Sequence, residues 1–130
     1  MQRVLDVGNC DPDHGAISAM LRREFDVVID RVMFVHEALQ AMRQTQYALV
    51  LVNRRIFADD SDGMRLVTAM KADAALFGAP VMLISNFPEA QQRAVEAGAE
   101  TGFGKAELAD AGTAEHLARY LPRKRVLQSG

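Results

Sequence analysis

Six residues in a row, Tyr47-Ala48-Leu49-Val50-Leu51-Val52, form an apolar run that stops at Asn53. Such a run, without polar alternation, reads as a strand buried on both faces. Strands of that kind belong to parallel sheets covered by helices on either side. In those sheets ligands and chemistry gather just beyond the carboxyl ends of the strands, so Asn53 is the first residue to question.

The rest of the chain fits the same plan. Val4-Leu5-Asp6-Val7 reads as a short strand ending at Gly8-Asn9. Asp11-Pro12 starts a helix, with Asp11 as N-cap and Pro12 at the first helical position, where its missing N–H does no harm. Ile17, Met20 and Leu21 supply that helix's apolar stripe. Residues 26–30 form a second strand, and Val35, Ala38, Leu39 and Met42 recur at helical spacing. Residues 54–62 are a polar, flexible loop holding Asp59 and Asp60, and Asp62 caps a helix over 63–73. Residues 80–85 are a fourth strand, and Pro88 opens a helix that Gly98 stops. Residues 101–104 make a weak fifth strand, and 107–120 the last helix, ended by Pro122. Five strands alternating with five helices predict an α/β fold: a doubly wound five-stranded parallel sheet of order 2-1-3-4-5. Residues 1–121 form one domain, and 122–130 a frayed C-terminal tail.

Composition narrows the function classes. The chain has 130 residues, 49% hydrophobic and 25% charged, which suits a folded domain with a real core. A net charge of -2 gives no electrostatic case for nucleic acid or membrane partners. The single cysteine, Cys10, excludes an internal disulfide framework and fits a reducing compartment. No apolar stretch approaches the ~20 residues that span a bilayer. With a strand-like start and no signal peptide, a cytoplasmic location is expected.

Fold class alone does not give function. Specific stretches, however, together resemble a bacterial response-regulator receiver domain of two-component signalling, over about residues 3–121. Asp11-Pro12-Asp13-His14 follows the first strand as the Asp-Pro turn does in receivers. Tyr47 to Asn53 resembles the phosphoacceptor strand, Asp62-Gly63 the opening of helix three, and residues 79–85 the switch strand. Ala94-Val95-Glu96-Ala97-Gly98-Ala99 is similar to the end of helix four, and Lys105 falls where the family keeps its site lysine.

The resemblance implies a flavodoxin-like receiver fold and also exposes what this chain lacks. Receivers hold Mg²⁺ between an acidic pair after strand one and an aspartate after strand three. Magnesium gives up water reluctantly and needs charged oxygen ligands, and the third-strand aspartate is the phosphoryl acceptor. Counted onto this chain, the acidic pair is Asn9 and Cys10 and the acceptor is Asn53, all neutral at pH 7. Asp11 is the neighbouring acid. Ser85 and Lys105 keep the hydroxyl and the cation. Gly102 stands where many receivers carry the aromatic that reports phosphorylation, and Ala106 replaces the usual proline, so a trans Lys105–Ala106 bond is expected. The loop from Asn53 to Gly63 is longer than usual for the family, and the one after Ser85 shorter. The expectation is a degenerate pseudo-receiver with weak or absent Mg²⁺ binding, no cofactor and no catalytic set.

Competing readings are specific. Asn53 is either a turn residue, bonding its own backbone, or a degenerate acceptor whose amide bonds Ser85 or Lys105. Asp59 or Asp60 offers a substitute acceptor in a phosphorylatable receiver. Asp11 is either a cap alone or a weak cation holder. Cys10 and His14 invite a zinc reading, but structural zinc needs four ligands, and His36 and His116 fall on distant helices. A small-ligand binder of the flavodoxin or cobalamin kind is a further alternative; Asp11 to Gly15 does not fit the cobalamin spacing Asp-x-His-x-x-Gly. Gly102 and Gly104 mark close backbone packing, the seven methionines fill core, and Arg123-Lys124-Arg125 is a solvated tail. The resemblance implies partners among signalling proteins: a histidine kinase, an output protein or another regulator. The implied contact surface is helix four, strand five and helix five, with Arg93, Glu96, Glu107 and His116 as candidate contacts and homodimerisation through the same face.

Overall fold

The apolar run becomes the central strand of the sheet. Leu49–Asn53 (β3) is flanked by Gln2–Val7 (β1) and Val81–Ile84 (β4), with Val27–Val32 (β2) and Glu100–Phe103 (β5) outside them. All pairings are parallel, in the order β2-β1-β3-β4-β5. The helices are Asp11–Glu24 (α1), Val35–Gln44 (α2), Met64–Lys71 (α3), Pro88–Glu96 (α4) and Ala111–Leu117 (α5). These descriptions come from a computed structural model that describes residues 1–125; the remainder of the expected tail lies outside the described residues.

Alternation along each strand divides the core into two layers. Leu5, Val7, Val50, Val52, Val81 and Leu83 pack against α2, α3 and α4. Val4, Leu49, Leu51, Met82 and Ile84 pack against α1 and α5. Leu49 through Val52 are completely buried; at ~1.5–3 kcal/mol per buried aliphatic side chain, this strand alone is a large share of the driving force. Met20, Met70 and Met82 do fill core, whereas Met1 is exposed. Among the described residues, no helix is long and apolar enough to cross a membrane.

Several expectations about local structure are corrected. Cys10, not Asp11, is the cap residue of α1; Asp11 and Pro12 are its first two helical residues, and the Asp11 carboxylate pairs with Arg31 at 2.8 Å. Asp62 does accept the Met64 N–H at 2.9 Å, but α3 begins later than expected. The long last helix is instead a 3₁₀ turn, Lys105–Glu107, followed by the short α5. Leu108, Leu117 and Leu121 pack into the same core layer, but only Leu117 lies in α5, and Asp110 adopts extended backbone between the two pieces. Residues 122–124 are not frayed: Arg123 forms an antiparallel bridge with Phe25, and the Asp26 and Lys124 N–H groups bond Pro122 and Glu24 carbonyls.

The loop after β3 is also tighter than a flexible polar loop. Arg55 and Asp62 pair as an antiparallel bridge, Ile56 is fully buried, and the Phe57 N–H bonds the Gly8 carbonyl at 2.9 Å. Ile56 crowds Gly8, whose φ of +78° already favours glycine. At the end of α4, Gly98 adopts φ +108°, the expected helix stop.

Candidate functional site

The carboxyl rim of the sheet carries a pocket of about 200 Å³ lined by Asn53, Arg54, Arg55, Ile84, Ser85, Asn86, Phe87 and Lys105. Three of the sequence candidates, Asn53, Ser85 and Lys105, thus meet. Asn53 sits where β3 ends, and Ser85 directly follows β4. Lys105 opens the 3₁₀ turn after β5. The Asn53 amide does not bond Ser85 or Lys105. It donates to the Arg55 carbonyl two residues on, the turn that asparagine makes at loop starts. The Ser85 hydroxyl accepts the Phe87 N–H at 3.1 Å. Lys105 donates to Asp13, with 2.7 Å between Nζ and Oδ2. The hydrogen bond from Lys105 is the largest influence on Asp13, holding its carboxyl below the usual range against the opposing effect of burial.

Asn9 and Cys10 lie on the other side of β3, and neither lines this pocket. Asn9 is fully buried and donates from Nδ2 to Asp6 Oδ1 at 2.6 Å. The other Asp6 oxygen lies 2.6 Å from His14 Nδ1, and His14 Nε2 lies 3.3 Å from the Ser18 hydroxyl. Asp6, Asn9 and Ser18 are buried, so this polar network between β1 and α1 is closed off from solvent except at His14, and Asn9 Oδ1 has no hydrogen-bond partner among the described residues. Arg31 Nη2 contacts the Asn9 carbonyl oxygen at 2.8 Å as well as Asp11. A fixed cation therefore stands beside Asn9 and Cys10.

Magnesium does not fit these residues. Both Asp6 oxygens are taken, Asp11 is paired with Arg31, and Asp13 with Lys105. The lining of the rim pocket has three cations and no carboxylate. Among the described residues, no group of three or more His, Cys, Asp or Glu side chains is arranged to hold a metal ion.

The space around Gly102 is filled in a different way. Gly102 packs so closely that a Cβ there would overlap the Leu83 carbonyl oxygen and meet the Gln91 amide. Gln91 Oε1 accepts the Gly102 N–H at 2.9 Å, while Nε2 donates to the carbonyls of Leu83 at 2.8 Å and Ser85 at 3.1 Å. One side chain from α4 thus ties β4 to β5 where their register is irregular. Gly104 is similarly close to Asn86, in keeping with the close packing expected of both glycines. The peptide bonds of the described residues are all trans, Lys105–Ala106 included.

No family model and no curated protein matches the chain. Solved structures do. The signal receiver domain of a DNA-binding response regulator from Colwellia psychrerythraea 34H superposes with a TM-score of 0.76 at 18% identity, covering 92% of this chain and 97% of that one. The chain has the receiver-domain fold. The bacteriophytochrome response regulator AtBRR gives a TM-score of 0.75 at 18% identity over 100% of this chain and 99% of its own. The Mn²⁺-bound form of the response regulator Rcp1 gives 0.66 at 15% identity, with 80% and 79% covered. The strand order and the five helices are those the receiver resemblance implies.

Sequence reasoning missed Asp6, Arg54 and Arg55. Asp6 left a signal: a carboxylate inside a doubly covered strand must find partners, and His14 and Ser18 lie one helical turn apart on the helix that follows. The arginines left a weaker one, adjacency to the end of β3.

Proposed function

We propose that this chain is a response-regulator-type signalling module that acts through protein contact and takes up no phosphoryl group at the receiver position. Residues 1–121 form the working unit, placed in the cytoplasm, with no enzymatic step of its own. The observation that carries this reading is the charge at the rim: Asn53 is neutral, and the pocket it lines with Arg54, Arg55 and Lys105 contains no carboxylate. A divalent cation and an aspartyl nucleophile both need the negative charge that is missing.

Asp59 and Asp60 are poor substitutes. The Ser61 hydroxyl and N–H both bond Asp59 Oδ1, at 2.6 and 3.0 Å, and hold its carboxyl below the usual range, while Asp60 is paired with Arg55. Neither lines the pocket.

The partner surface proposed is α4, β5 and α5, offered to a kinase, an output protein or a second copy. Arg93 and Glu96 are among its exposed charges. His116 Nε2 lies 2.6 Å from the Thr101 carbonyl oxygen and Glu107 accepts the Gly104 N–H, so these two brace the face as well as line it.

Intact mass after incubation with acetyl phosphate and Mg²⁺ tests the reading. No gain is expected; addition of one phosphoryl group would overturn it. The Asn53→Asp variant is also expected to gain no saturable Mg²⁺ binding, because the acids nearest the rim are already paired.

A further inference from the structure

We propose that the amino-terminal edge of the sheet docks an acidic, extended peptide segment of a partner protein, in a trough centred on residues 45–48 and Pro80. This edge, where β1, β3 and β4 begin, lies at the other end of the sheet from Asn53. The proposal stands whether or not the carboxyl rim takes up a phosphoryl group.

Two open hollows adjoin at this edge. One, of about 630 Å³, runs from Arg43 at the end of α2 to Gly78 before β4. The other, of about 660 Å³, takes in Arg3 of β1 and Arg119 after α5. Thr45, Gln46, Tyr47, Ala48 and Pro80 line both, so the two form one continuous trough. Each half falls within the ~300–1,000 Å³ of organic-ligand sites, and a trough of two such halves suits a length of chain better than a single small molecule. The backbone N–H and C=O groups of Gln46 and Tyr47 form no hydrogen bond with the described residues. Main-chain donors and acceptors of this kind are what an added extended segment engages.

Charge selects an acidic segment. Arg43 lines one half of the trough, Arg3 and Arg119 line the other, and no carboxylate is in the lining of either. The nearby acids are already engaged: Asp30 by Arg3 and the Tyr47 hydroxyl, Asp73 by Arg43 and the Ala75 N–H, and Glu100 by the Tyr120 hydroxyl. Arg3 and Arg43 each give one Nη to these pairs and keep the rest of the fork. Arg119 is exposed and makes no ion pair among the described residues. Guanidinium forks take carboxylate oxygens two at a time, whereas a basic segment would meet three like charges.

Titrating the ¹⁵N-labelled full chain at constant ionic strength with a blocked hexapeptide of alternating Glu and Val tests this. Saturable amide shifts centred on Gln44, Gln46, Tyr47 and Arg119 are expected. Gly78→Glu is the decisive variant. A Cβ at Gly78 meets nothing within 4 Å, so the fold accepts the side chain while a carboxylate enters the trough. This variant and, separately, Arg119→Gln are each expected to bind about tenfold more weakly, by like-charge repulsion and by loss of a charge-assisted bond. Gly15→Glu adds the same charge at an equally open position on α1 and should bind as the wild type does. Non-saturating shifts, unchanged affinity in both Gly78→Glu and Arg119→Gln, an equal loss in Gly15→Glu, or equal binding of the Gln-Val peptide would overturn the proposal. So would self-association that Gly78→Glu abolishes, which makes a second copy the occupant. Equally tight binding of N-acetylglutamate would overturn it too, by assigning the trough to a small acid.

Discussion

Two regions on either side of β3 handle charge in opposite ways. Between β1 and α1, a carboxylate is sealed inside the core, with Asn9 and His14 each bonded to one of its oxygens. Around the ends of β3, β4 and β5, cations line an open pocket. The first region is closed and committed to structure. The second has unspent donors and is accessible. A receiver fold therefore does not require its acids at the rim; it stands when negative charge lies one layer down and positive charge takes the surface.

Breaking the closed region should have the largest effect. His14→Ala leaves Asp6 buried with Asn9 alone, and a buried carboxylate left short of a hydrogen-bond partner costs about 3 kcal/mol, the upper end for an unsatisfied buried group. Urea denaturation reads this directly. The Asp6→Leu/His14→Leu double variant should lose less than the two single changes together, because each single change strands its former partner. Simple additivity would mean that the network is not coupled.

The open region should respond less, and locally. Gln91→Ala removes three hydrogen bonds to backbone groups of β4 and β5, costing roughly 1–3 kcal/mol. Hydrogen exchange should quicken at Gly102 while the β1 amides stay protected. Uniform acceleration would show that the two regions unfold as one.

The smallest effect belongs to the ion pair that joins the regions. Lys105 and Asp13 lie about one-third exposed, at 30% and 36%, so Asp13→Asn should cost only ~0–1 kcal/mol. Its pH dependence has a definite sign. Asp13 is lowered in the fold, chiefly by the Lys105 hydrogen bond. The pair's contribution is therefore full above the ordinary carboxylate pKa of about 3.9 and disappears as pH falls through the lower folded value. Comparing wild type and Asp13→Asn between neutral pH and acid should show the difference closing.

Sheet order and helix faces were legible because β1, β3 and β4 are apolar enough to declare burial on both sides. The meeting of Asn53, Ser85 and Lys105 was legible from their places at strand ends. Bonding within the site was not. Asn53 turned to its own loop because the Arg55 carbonyl lies two residues away, and a local partner costs little entropy to engage. Lys105 found Asp13, 92 residues earlier, a pairing that depends on how the rim assembles. The break between the 3₁₀ turn and α5 was hidden for a similar reason. Apolar residues report the buried side but not the extended Asp110 that interrupts the helix.

The Gln91 clasp has a mechanical consequence for anything that docks nearby. With α4 stapled to three backbone groups of the neighbouring strands, helix and strand are expected to tilt as a single plank and not slide past each other. A partner landing on that plank would find it already in shape, so little of its affinity is spent on ordering the surface it touches.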